Sequence, residues 1–551
     1  MSGSFAEFLR TYERRVAPLN KEANEAFWAA TTTGRPEEQE RCVRASSALR
    51  RAHSDPGQFA ALKSWQASGS VRDPLEARQL AILVRAYTEQ QIPPETIEEL
   101  ARREQEIQGL FTSFRPLLEG RPASENDLGR VLVEERDAAR RRAAWEASKS
   151  IGAEVAPRLL ELAALRNRVA RELGFRDYFA LRLSVDELDE SELFVLLGKL
   201  ERATRRPFRR AKAELDRGLR RRFGVGPEGL KPWHYADPFF QEAPPADTLD
   251  LDALFAGKDV VGMARDFYAG LGLPVDDILE RSDLFERENK NQHAYCMDVD
   301  REGDVRVLAN VRAEERWAGT MLHELGHAVY SKFHDRSLPF VLRDAAHMFT
   351  TEAVAMMMGR LTGEADWLVK LAGVGEKQAQ DLAGALAARL RLGELLFVRW
   401  ALVVVSFERE LYRDPAQDLN GLWWSLVTRL QEVRPPEERR APDYASKIHL
   451  GTVPVYYQNY LLGTLAASQI RAALPARAGA ESGLAGDRGA GAFLRERVFG
   501  PGARYPWNEL LRRATGAPLD PEAFLRQFAG AGLNRGSRAR VPARGSSRPR
   551  R

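Results

Sequence analysis

Two histidines and a glutamate between Met321 and Tyr330 have the spacing of a catalytic zinc site. His323 and His327 are four residues apart, so on a helix both imidazoles lie on one face and can bind one metal ion. Glu324 follows the first histidine, where the His-Glu-x-x-His pattern places a group that accepts a proton from the attacking water. The segment therefore predicts a helix of a zinc-dependent hydrolase that holds one Zn²⁺ ion.

A third ligand is expected further along the chain, because a catalytic zinc ion takes three protein ligands and keeps one position open. Glu352 is the candidate that stands out. A helical carboxylate can equally be a solvated surface charge, but the neighbours of Glu352 favour burial. They are apolar: Phe349, Ala353, Val354, Met356 and Met357.

The competing interpretation of the motif is a surface helix that carries two histidines by chance. The surrounding residues are strongly apolar and indicate a buried helix: Met321, Leu322, Leu325, Ala328 and Val329. Buried histidines and a buried glutamate need a partner, since unpaired polar groups are costly in the interior. Gly326 also leaves room for close packing beside the metal, despite the helix penalty of glycine.

The composition is that of a large, helix-rich globular protein. The chain has 551 residues, of which 44% are hydrophobic and 29% charged, with a net charge of +4. Seven arginines and no acid fall in 534–551, so the remainder is slightly acidic and nucleic-acid binding is not expected. Two cysteines, Cys42 and Cys296, fit neither a disulfide framework nor a thiolate metal site.

No targeting or membrane segment is predicted. The first residues lack a basic segment followed by an apolar one, and the longest apolar run, Leu395–Phe407, is interrupted by Arg399 and too short to cross a bilayer. A cytoplasmic location without a membrane partner is the expectation.

The first 220 residues show apolar positions at helical spacing between charges. Ser191–Arg222 is expected to break or kink at Pro207. The other predicted helices of this part are Phe5–Ala30, Glu37–His53, Pro74–Glu89, Pro94–Phe114, Asn126–Lys149 and Pro157–Leu173.

One β-hairpin is predicted immediately before the zinc helix, with arms at Gln292–Val299 and Asp304–Val311. An edge strand there could pair with an extended peptide, which suggests a peptide substrate. Helices are expected again at Glu376–Phe407 and Asn420–Val433. Pro475–Gly491 is predicted to be a mobile surface insertion, and 534–551 a disordered basic tail.

Several separated motifs resemble the angiotensin-converting-enzyme (peptidyl-dipeptidase A) family of zinc peptidases, in family order and over most of the chain. The N-terminal segments Phe5–Tyr12 and Glu22–Trp28 resemble the family's opening helix. The further motifs are Leu338-Pro339, Leu342-Arg343, Glu352-Ala353, Ala401–Val404, Trp423–Leu426, Pro435-Pro436, Lys447–His449, Val453-Pro454 and Tyr505–Leu510.

The resemblance implies an all-α, two-lobed ellipsoid with a deep central cleft and one small β-hairpin beside the zinc helix. It implies one catalytic domain over 1–533, with N-terminal helices as a lid, the zinc site within 290–360 and a substrate-binding segment at 440–465.

The resemblance also implies roles for individual residues. One zinc ion would be held by His323, His327 and Glu352, with Glu324 as general base and later acid. His293 and Ala294 match a substrate-binding strand, in which the histidine side chain and the alanine backbone hold the peptide.

Lys447 and His449 match residues that contact the substrate's carbonyls and C-terminal carboxylate. Two tyrosines three residues apart follow in the family, one for that carboxylate and one for the oxyanion. Tyr457 and Tyr460 keep this spacing but lie one residue too far from His449. If the alignment is anchored on Val453-Pro454 instead, Val455 and Gln458 fall at the positions of the two tyrosines. Tyr456 is then the remaining candidate for a tyrosine that binds the substrate.

Other positions depart from the family pattern. A glutamine that helps to bind the carboxylate is matched by Gly262, and the chloride-binding arginines fall near Val427 and Asn459. An aspartate that supports the zinc histidines is matched by Met356. Chloride activation is therefore not expected, and orientation of the histidines must come from elsewhere.

The expected function is zinc-dependent hydrolysis of short peptides with release of C-terminal dipeptides. The alternatives are an endo-acting oligopeptidase or carboxypeptidase of the same fold, or a catalytically silent peptide-binding protein.

Overall fold

The computed structural model describes residues 4–226, 228–244, 250–287, 290–291, 293–475 and 483–530. Within these ranges the protein is mainly helical, with two small antiparallel sheets of two strands each. This confirms the predicted helical fold with a hairpin beside the zinc helix. The predicted basic tail, 534–551, lies outside the described residues.

The N-terminal half consists of helices joined by short connections, with a two-residue hairpin (β1, Leu117–Leu118; β2, Arg121–Pro122) between the fifth and sixth. The helices are α1 (Phe5–Thr33), α2 (Pro36–Arg51), α3 (Pro56–Ser68), α4 (Pro74–Glu89), α5 (Pro94–Ser113), α6 (Glu125–Glu134), α7 (Ala138–Glu172), α8 (Tyr178–Val185) and α9 (Glu190–Phe223).

The remainder of the fold surrounds the second hairpin, formed by β3 (Tyr295–Asp298) and β4 (Val305–Leu308). Its helices are α10 (Asp252–Phe255), α11 (Val260–Gly270), α12 (Asp276–Arg281), α13 (Glu315–Lys332), α14 (Met348–Gly359), α15 (Ala365–Lys370), α16 (Glu376–Arg413), α17 (Leu419–Gln431), α18 (Ile448–Thr452), α19 (Tyr457–Ala473), α20 (Arg488–Phe493), α21 (Trp507–Thr515) and α22 (Glu522–Phe524).

Most buried apolar side chains form one large core, which includes the inner faces of α7, α13, α14, α16 and α19. A second, smaller core joins α1, α3 and α4 to Phe340 and Val341. The first helices therefore pack mainly on one another and touch the rest of the protein over a limited surface.

The predicted break at Pro207 is wrong, because α9 runs through it without interruption. Thr204 and Phe208 are almost completely buried on either side of the proline. Packing of this apolar face thus outweighs the hydrogen bond that the proline removes. The same holds for α7, which includes Pro157 and is a single helix where two were predicted. The chain breaks earlier, before Asp137, whose side chain accepts the backbone N–H of Ala139 and caps α7.

The predicted hairpin is confirmed, with shorter arms than the sequence suggested. Tyr295 pairs with Leu308 and Asp298 with Val305 in antiparallel register. Positive φ angles at Arg301 (58°) and Gly303 (119°) form the turn. The hairpin places β3 beside α13, so the strand and the helix that carries His323 and His327 are direct neighbours.

The expectation of a surface insertion over Pro475–Gly491 is wrong for its second half. Leu484 and Ala485 are buried, and Gly491 approaches the backbone of Leu271 so closely that a Cβ there would clash. This part is anchored in the core because small residues allow that close packing. Residues 476–482 lie outside the described ranges.

Candidate active site

Two helices bring the motif residues together. His323, Glu324 and His327 lie on α13, and Glu352 lies on α14. The helices approach closely at small residues: a Cβ added at Gly326 would lie only 2.9 Å from Ala355 Cα. Gly463 on α19 fits in the same way against Glu352, where an added Cβ would lie 3.1 Å from Glu352 Cβ. The predicted close packing at Gly326 is thus confirmed.

Three donor atoms converge on one point. His323 Nε2 and His327 Nε2 are 3.3 Å apart, and each is 3.7 Å from Glu352 Oε2. Ligand atoms of a tetrahedral zinc ion, at about 2.0–2.2 Å from the metal, lie roughly 3.3–3.6 Å from one another. Glu352 Oε2 is buried and has no hydrogen-bond partner within the described ranges. This donor set therefore fits a zinc ion and is the group in the described chain that could hold a metal.

Burial sets the charge state of these groups in the protein without metal. Burial lowers the pKa of His323 to about 4 and that of His327 well below its usual value, so both imidazoles are neutral and their lone pairs are available. Burial also raises the pKa of Glu352 to about 7, against the lowering effect of a hydrogen bond from Tyr456. Neutral imidazoles and one carboxylate are ligands that zinc prefers.

Glu324 lies beside this donor set on the same helix. Burial raises its pKa to about 8, and the nearby charge of Glu352 acts in the same direction, while a backbone hydrogen bond from Cys296 lowers it. Cys296 belongs to β3, so the hairpin and α13 are joined at this carboxylate. A bound cation would favour the ionised form that accepts protons.

Two hydroxyl groups contact the outer atoms of the ligands. Thr351 Oγ1 lies 2.7 Å from His327 Nδ1, and Tyr456 donates its hydroxyl to Glu352 Oε1 at 3.0 Å. The sequence indicated only that support for the histidines had to come from a residue other than Met356. Thr351 is adjacent to Glu352 in the chain, yet its type alone carried no signal for this contact.

Lys447 lies in an aromatic surrounding, with its Nζ 5.2 Å from the ring centre of Phe239, 5.4 Å from Trp400 and 5.6 Å from Tyr457. It donates a hydrogen bond to Gln241 Oε1 at 3.1 Å. The sequence interpretation missed this glutamine and expected no amide here.

Gly262, which the sequence comparison matched to the family's glutamine, lies instead in the first turn of α11, where its N–H is bonded to Asp259 Oδ1. Gln241 therefore provides the amide beside Lys447. No local pattern around Gln241 could have identified it.

His449 and His293 are brought close to each other, although 156 residues separate them in the chain. The pKa of His449 falls to about 3, mainly through burial and further through the charges of Lys447 and His293. His449 Nδ1 is buried and has no hydrogen-bond partner among the described residues. His293 is exposed, and Ala294 follows it immediately before β3.

The three tyrosines occupy different environments. Tyr457 is buried, its hydroxyl accepts Trp400 Nε1–H at 3.1 Å, and its ring is 5.0 Å from that of His449. Tyr460 is only half-buried, and its pKa is raised by desolvation first and by the charges of Glu352 and Glu324 in addition. No hydrogen bond to its hydroxyl occurs in the described chain, so this donor remains available.

The backbone just before these tyrosines has an unusual conformation. Val455 has a φ of 55°, a conformation that is strained for a β-branched side chain. Its N–H donates to the buried carboxylate of Glu408 at 2.6 Å. This left-handed residue lies two positions before Tyr457, in the segment where the sequence left the assignment of the tyrosines open.

The sequence was compared with models of known protein families. The family model described as "Angiotensin-converting enzyme" (peptidase M2) matches residues 3–198 and 236–531. The match covers most of the chain, and the protein belongs to this family.

Individual relatives are distant. Angiotensin-converting enzyme of Rattus norvegicus is 24% identical over 442 residues, which are 73% of this chain and 33% of the relative. The enzyme of Mesocricetus auratus is 24% identical over 477 residues, 78% of this chain and 36% of the relative. An angiotensin-converting enzyme-related protein of Drosophila melanogaster is 24% identical over 254 residues, 43% of this chain and 40% of the relative. The chain thus spans about a third of the length of the mammalian relatives.

Within the described residues, no helix combines the length and apolar character that a membrane crossing requires.

Proposed function

We propose that the protein is a zinc-dependent peptidase that hydrolyses peptide bonds in short peptides. The observation that carries the proposal is the triangle of donor atoms with sides of 3.3, 3.7 and 3.7 Å. His323, His327 and Glu352 would hold the zinc ion, and Glu324 lies beside it.

A bound zinc ion would lower the pKa of a water molecule to about 7 and polarise the scissile carbonyl. Glu324 accepts a proton from the attacking water and transfers it to the leaving amine, as a general base and then a general acid. Tyr460 donates its free hydroxyl to the oxyanion that develops on the carbonyl oxygen. Tyr457 is less suited to this role, because its side chain is almost completely buried.

The substrate is held on both sides of the cut. Ala294 and His293, immediately before β3, offer backbone groups to an extended peptide. Lys447, with the amide of Gln241 at 3.1 Å, offers a cation and a polar partner to a terminal carboxylate. Binding of that carboxylate beside the metal site favours release of C-terminal dipeptides.

Two alternatives stay open to experiment. An endo-acting oligopeptidase or a carboxypeptidase would use the same metal site with a different position of the substrate's end. A silent binding protein would hold peptides without cleavage. Glu324 as a base and the Tyr460 hydroxyl without a hydrogen-bond partner in the described chain favour an active peptidase over the silent binding protein.

Product mapping tests the proposal and its specificity together. Zinc-loaded protein is incubated with paired peptides that differ only in a free or an amidated C-terminus, and the products are identified by mass spectrometry. Release of dipeptides from free-acid peptides supports the proposal, whereas internal cuts at equal rates in both sets indicate an endo-peptidase. Binding without any product indicates the silent protein.

Lys447→Ala identifies the group that recognises the carboxylate. A charge-assisted hydrogen bond is worth about 1.5–3 kcal/mol, so free-acid substrates should lose about 10-fold or more in kcat/KM and amidated ones much less. Lys447→Arg keeps the cation and serves as the matched control. Equal losses for both substrate sets would mean that Lys447 does not recognise the carboxylate.

A further inference from the structure

Two of the three metal ligands each have a second polar atom that points away from the shared centre. In His327 this atom is Nδ1, which contacts Thr351 Oγ1 at 2.7 Å. In Glu352 it is Oε1, which accepts the Tyr456 hydroxyl at 3.0 Å. Both contacts occupy the outer atom and leave the inner one, Nε2 or Oε2, directed at the other donors.

The contact of Thr351 is unusual for a threonine in a helix. Such hydroxyls commonly bond the backbone one turn earlier, as Thr350 does to His347 O at 2.7 Å and Thr204 does to Leu200 O at 2.8 Å. Thr351 contacts the side chain of a neighbouring helix instead. Thr351 therefore lacks the usual bond to the backbone of its own helix and instead orients the imidazole of His327.

The tautomer that His327 needs for metal binding determines the direction of this bond. An imidazole that binds a metal through Nε2 carries its proton on Nδ1. In that tautomer the Nδ1–H donates to Thr351 Oγ1, and the Nε2 lone pair faces His323 Nε2, 3.3 Å away, and Glu352 Oε2. The hydroxyl also fixes the rotation of the ring.

Tyr456 acts on the carboxylate in a comparable way. Its hydroxyl engages Oε1, and Oε2 remains the buried atom without a hydrogen-bond partner among the described residues. The carboxylate consequently presents one oxygen to the centre and cannot turn without losing the bond. Tyr456 immediately precedes α19, the helix that carries Tyr457 and Tyr460. This contact therefore also joins the proposed substrate-binding region to the metal ligands.

We propose that Thr351 and Tyr456 are positioning residues that hold His327 and Glu352 in the geometry for metal binding. They replace the carboxylate support that Met356 cannot supply. The inference rests on the proposed zinc site, but it concerns affinity and geometry of the metal and not the peptide that is cut. It gives Tyr456 a role other than the substrate contact suggested by the sequence.

Metal affinity is the measurement that tests this proposal. Zinc dissociation constants are determined by competition with a chelator for the full-length protein and for Thr351→Val and Tyr456→Phe. Each substitution removes one hydroxyl with little change in shape. Supporting residues of this kind typically contribute about 10–100-fold in affinity, and we expect a weakening in that range for both variants. The visible spectrum of the cobalt-substituted protein should change with each variant.

Matched controls separate positioning from packing. Thr351→Ser retains the hydroxyl and should restore the affinity. Tyr460→Phe removes a neighbouring hydroxyl that contacts no ligand, and it should bind zinc like the wild type. If Thr351→Val does not fold, Thr351→Ala provides the same deletion of the hydroxyl.

The outcomes are distinguishable. Wild-type affinity and an unchanged cobalt spectrum in folded Thr351→Val and Tyr456→Phe would overturn the positioning roles and leave the zinc site standing. Failure of the wild-type protein itself to bind zinc would overturn the proposed function and the inference with it.

Discussion

Glu324 is the residue on which the proposed chemistry depends most strongly. It is 7% exposed, and burial raises the pKa of its carboxyl to about 8 in the metal-free protein. A group in this environment exchanges protons near neutral pH, which suits a general base that later acts as an acid.

Glu324→Gln should separate metal binding from turnover. The amide keeps the shape of the side chain but cannot accept a proton from water, so kcat should fall by about 10²–10⁴-fold. Zinc content should stay at the wild-type value, because Glu324 is not a ligand. Both quantities are measured on the same preparation, by metal analysis and by peptide hydrolysis. Near-normal turnover in the folded variant would place the base elsewhere.

The motif residues were predictable at this scale because their spacing is local, four residues on one helix. The supporting groups were not. Gln241 is 206 residues from Lys447, and Tyr456 is 104 residues from Glu352. Contacts of this kind depend on how distant elements pack, which no local pattern encodes. The left-handed conformation of Val455, just before the tyrosines, is likewise a backbone feature that the residue type does not suggest.

At the scale of elements, glycines on the facing surfaces of helices bring the ligands within reach. Gly326 on α13 meets Ala355 on α14, and an added Cβ at Gly359 would lie 3.2 Å from Gly319 O on the opposite helix. Because α13 and α14 approach this closely, the donor atoms of His323 and His327 can lie less than 4 Å from that of Glu352.

Gly326→Ala should therefore destabilise the protein and weaken zinc binding. Its new methyl group would lie 2.9 Å from Ala355 Cα, which forces the helices apart. Overpacking of this kind costs about 1–3 kcal/mol. Chemical denaturation and chelator competition measure the two effects.

Gly384→Ala in α16 is the matched control for that substitution. An added Cβ there meets nothing within 4 Å, so only the higher helix propensity of alanine remains, about 1 kcal/mol in favour of the folded state. If Gly326→Ala stabilised the folded protein as Gly384→Ala does, the contact between Gly326 and Ala355 would not limit how closely α13 and α14 pack.

Helix positions were largely predictable from periodicity and from breaking residues. Proline just after an N-cap aspartate begins α4 at Pro74, as expected. Pro207 and Pro157 misled the prediction because burial on both sides of each proline determines whether a helix continues, and sequence alone does not give burial. The surface assignment of 484–491 was wrong for the same reason.

At the scale of the whole molecule, several ionisable groups are buried with shifted pKa values away from the metal ligands. Burial raises the pKa of Glu408 to about 8 against the lowering effect of Arg166, and it raises those of Asp237 and Asp298 to about 6. Burial lowers the pKa of His334 to about 4. The stability of the fold should therefore depend on pH.

Glu408 should control the alkaline side of this dependence. Its pKa is raised by folding, so its stabilising contribution is complete below about pH 4.5 and is lost as the pH rises through about 8. The contribution of His334 is already constant above about pH 6.5, since its folded pKa is lowered. Wild-type stability should thus fall between pH 7 and 8.5, by at most about 1.4 kcal/mol per pH unit from this group.

Glu408→Gln should flatten that slope. The amide oxygen can still accept the Val455 N–H, but it carries no proton to lose. Thermal unfolding of both proteins at several pH values between 7 and 8.5 measures the difference, and all other groups cancel in the comparison. Parallel curves for the two proteins would show that Glu408 is already ionised in the folded protein below pH 7 and would contradict the raised pKa.

Zinc titration of the metal-free protein with simultaneous measurement of peptide cleavage tests the central claim most directly. The proposed site predicts that activity rises with added zinc and saturates at one ion per chain. His327→Ala should show neither tight binding nor activity, because it removes one of the three donors. Full peptide cleavage without zinc, or one tightly bound zinc ion in His327→Ala, would contradict the account.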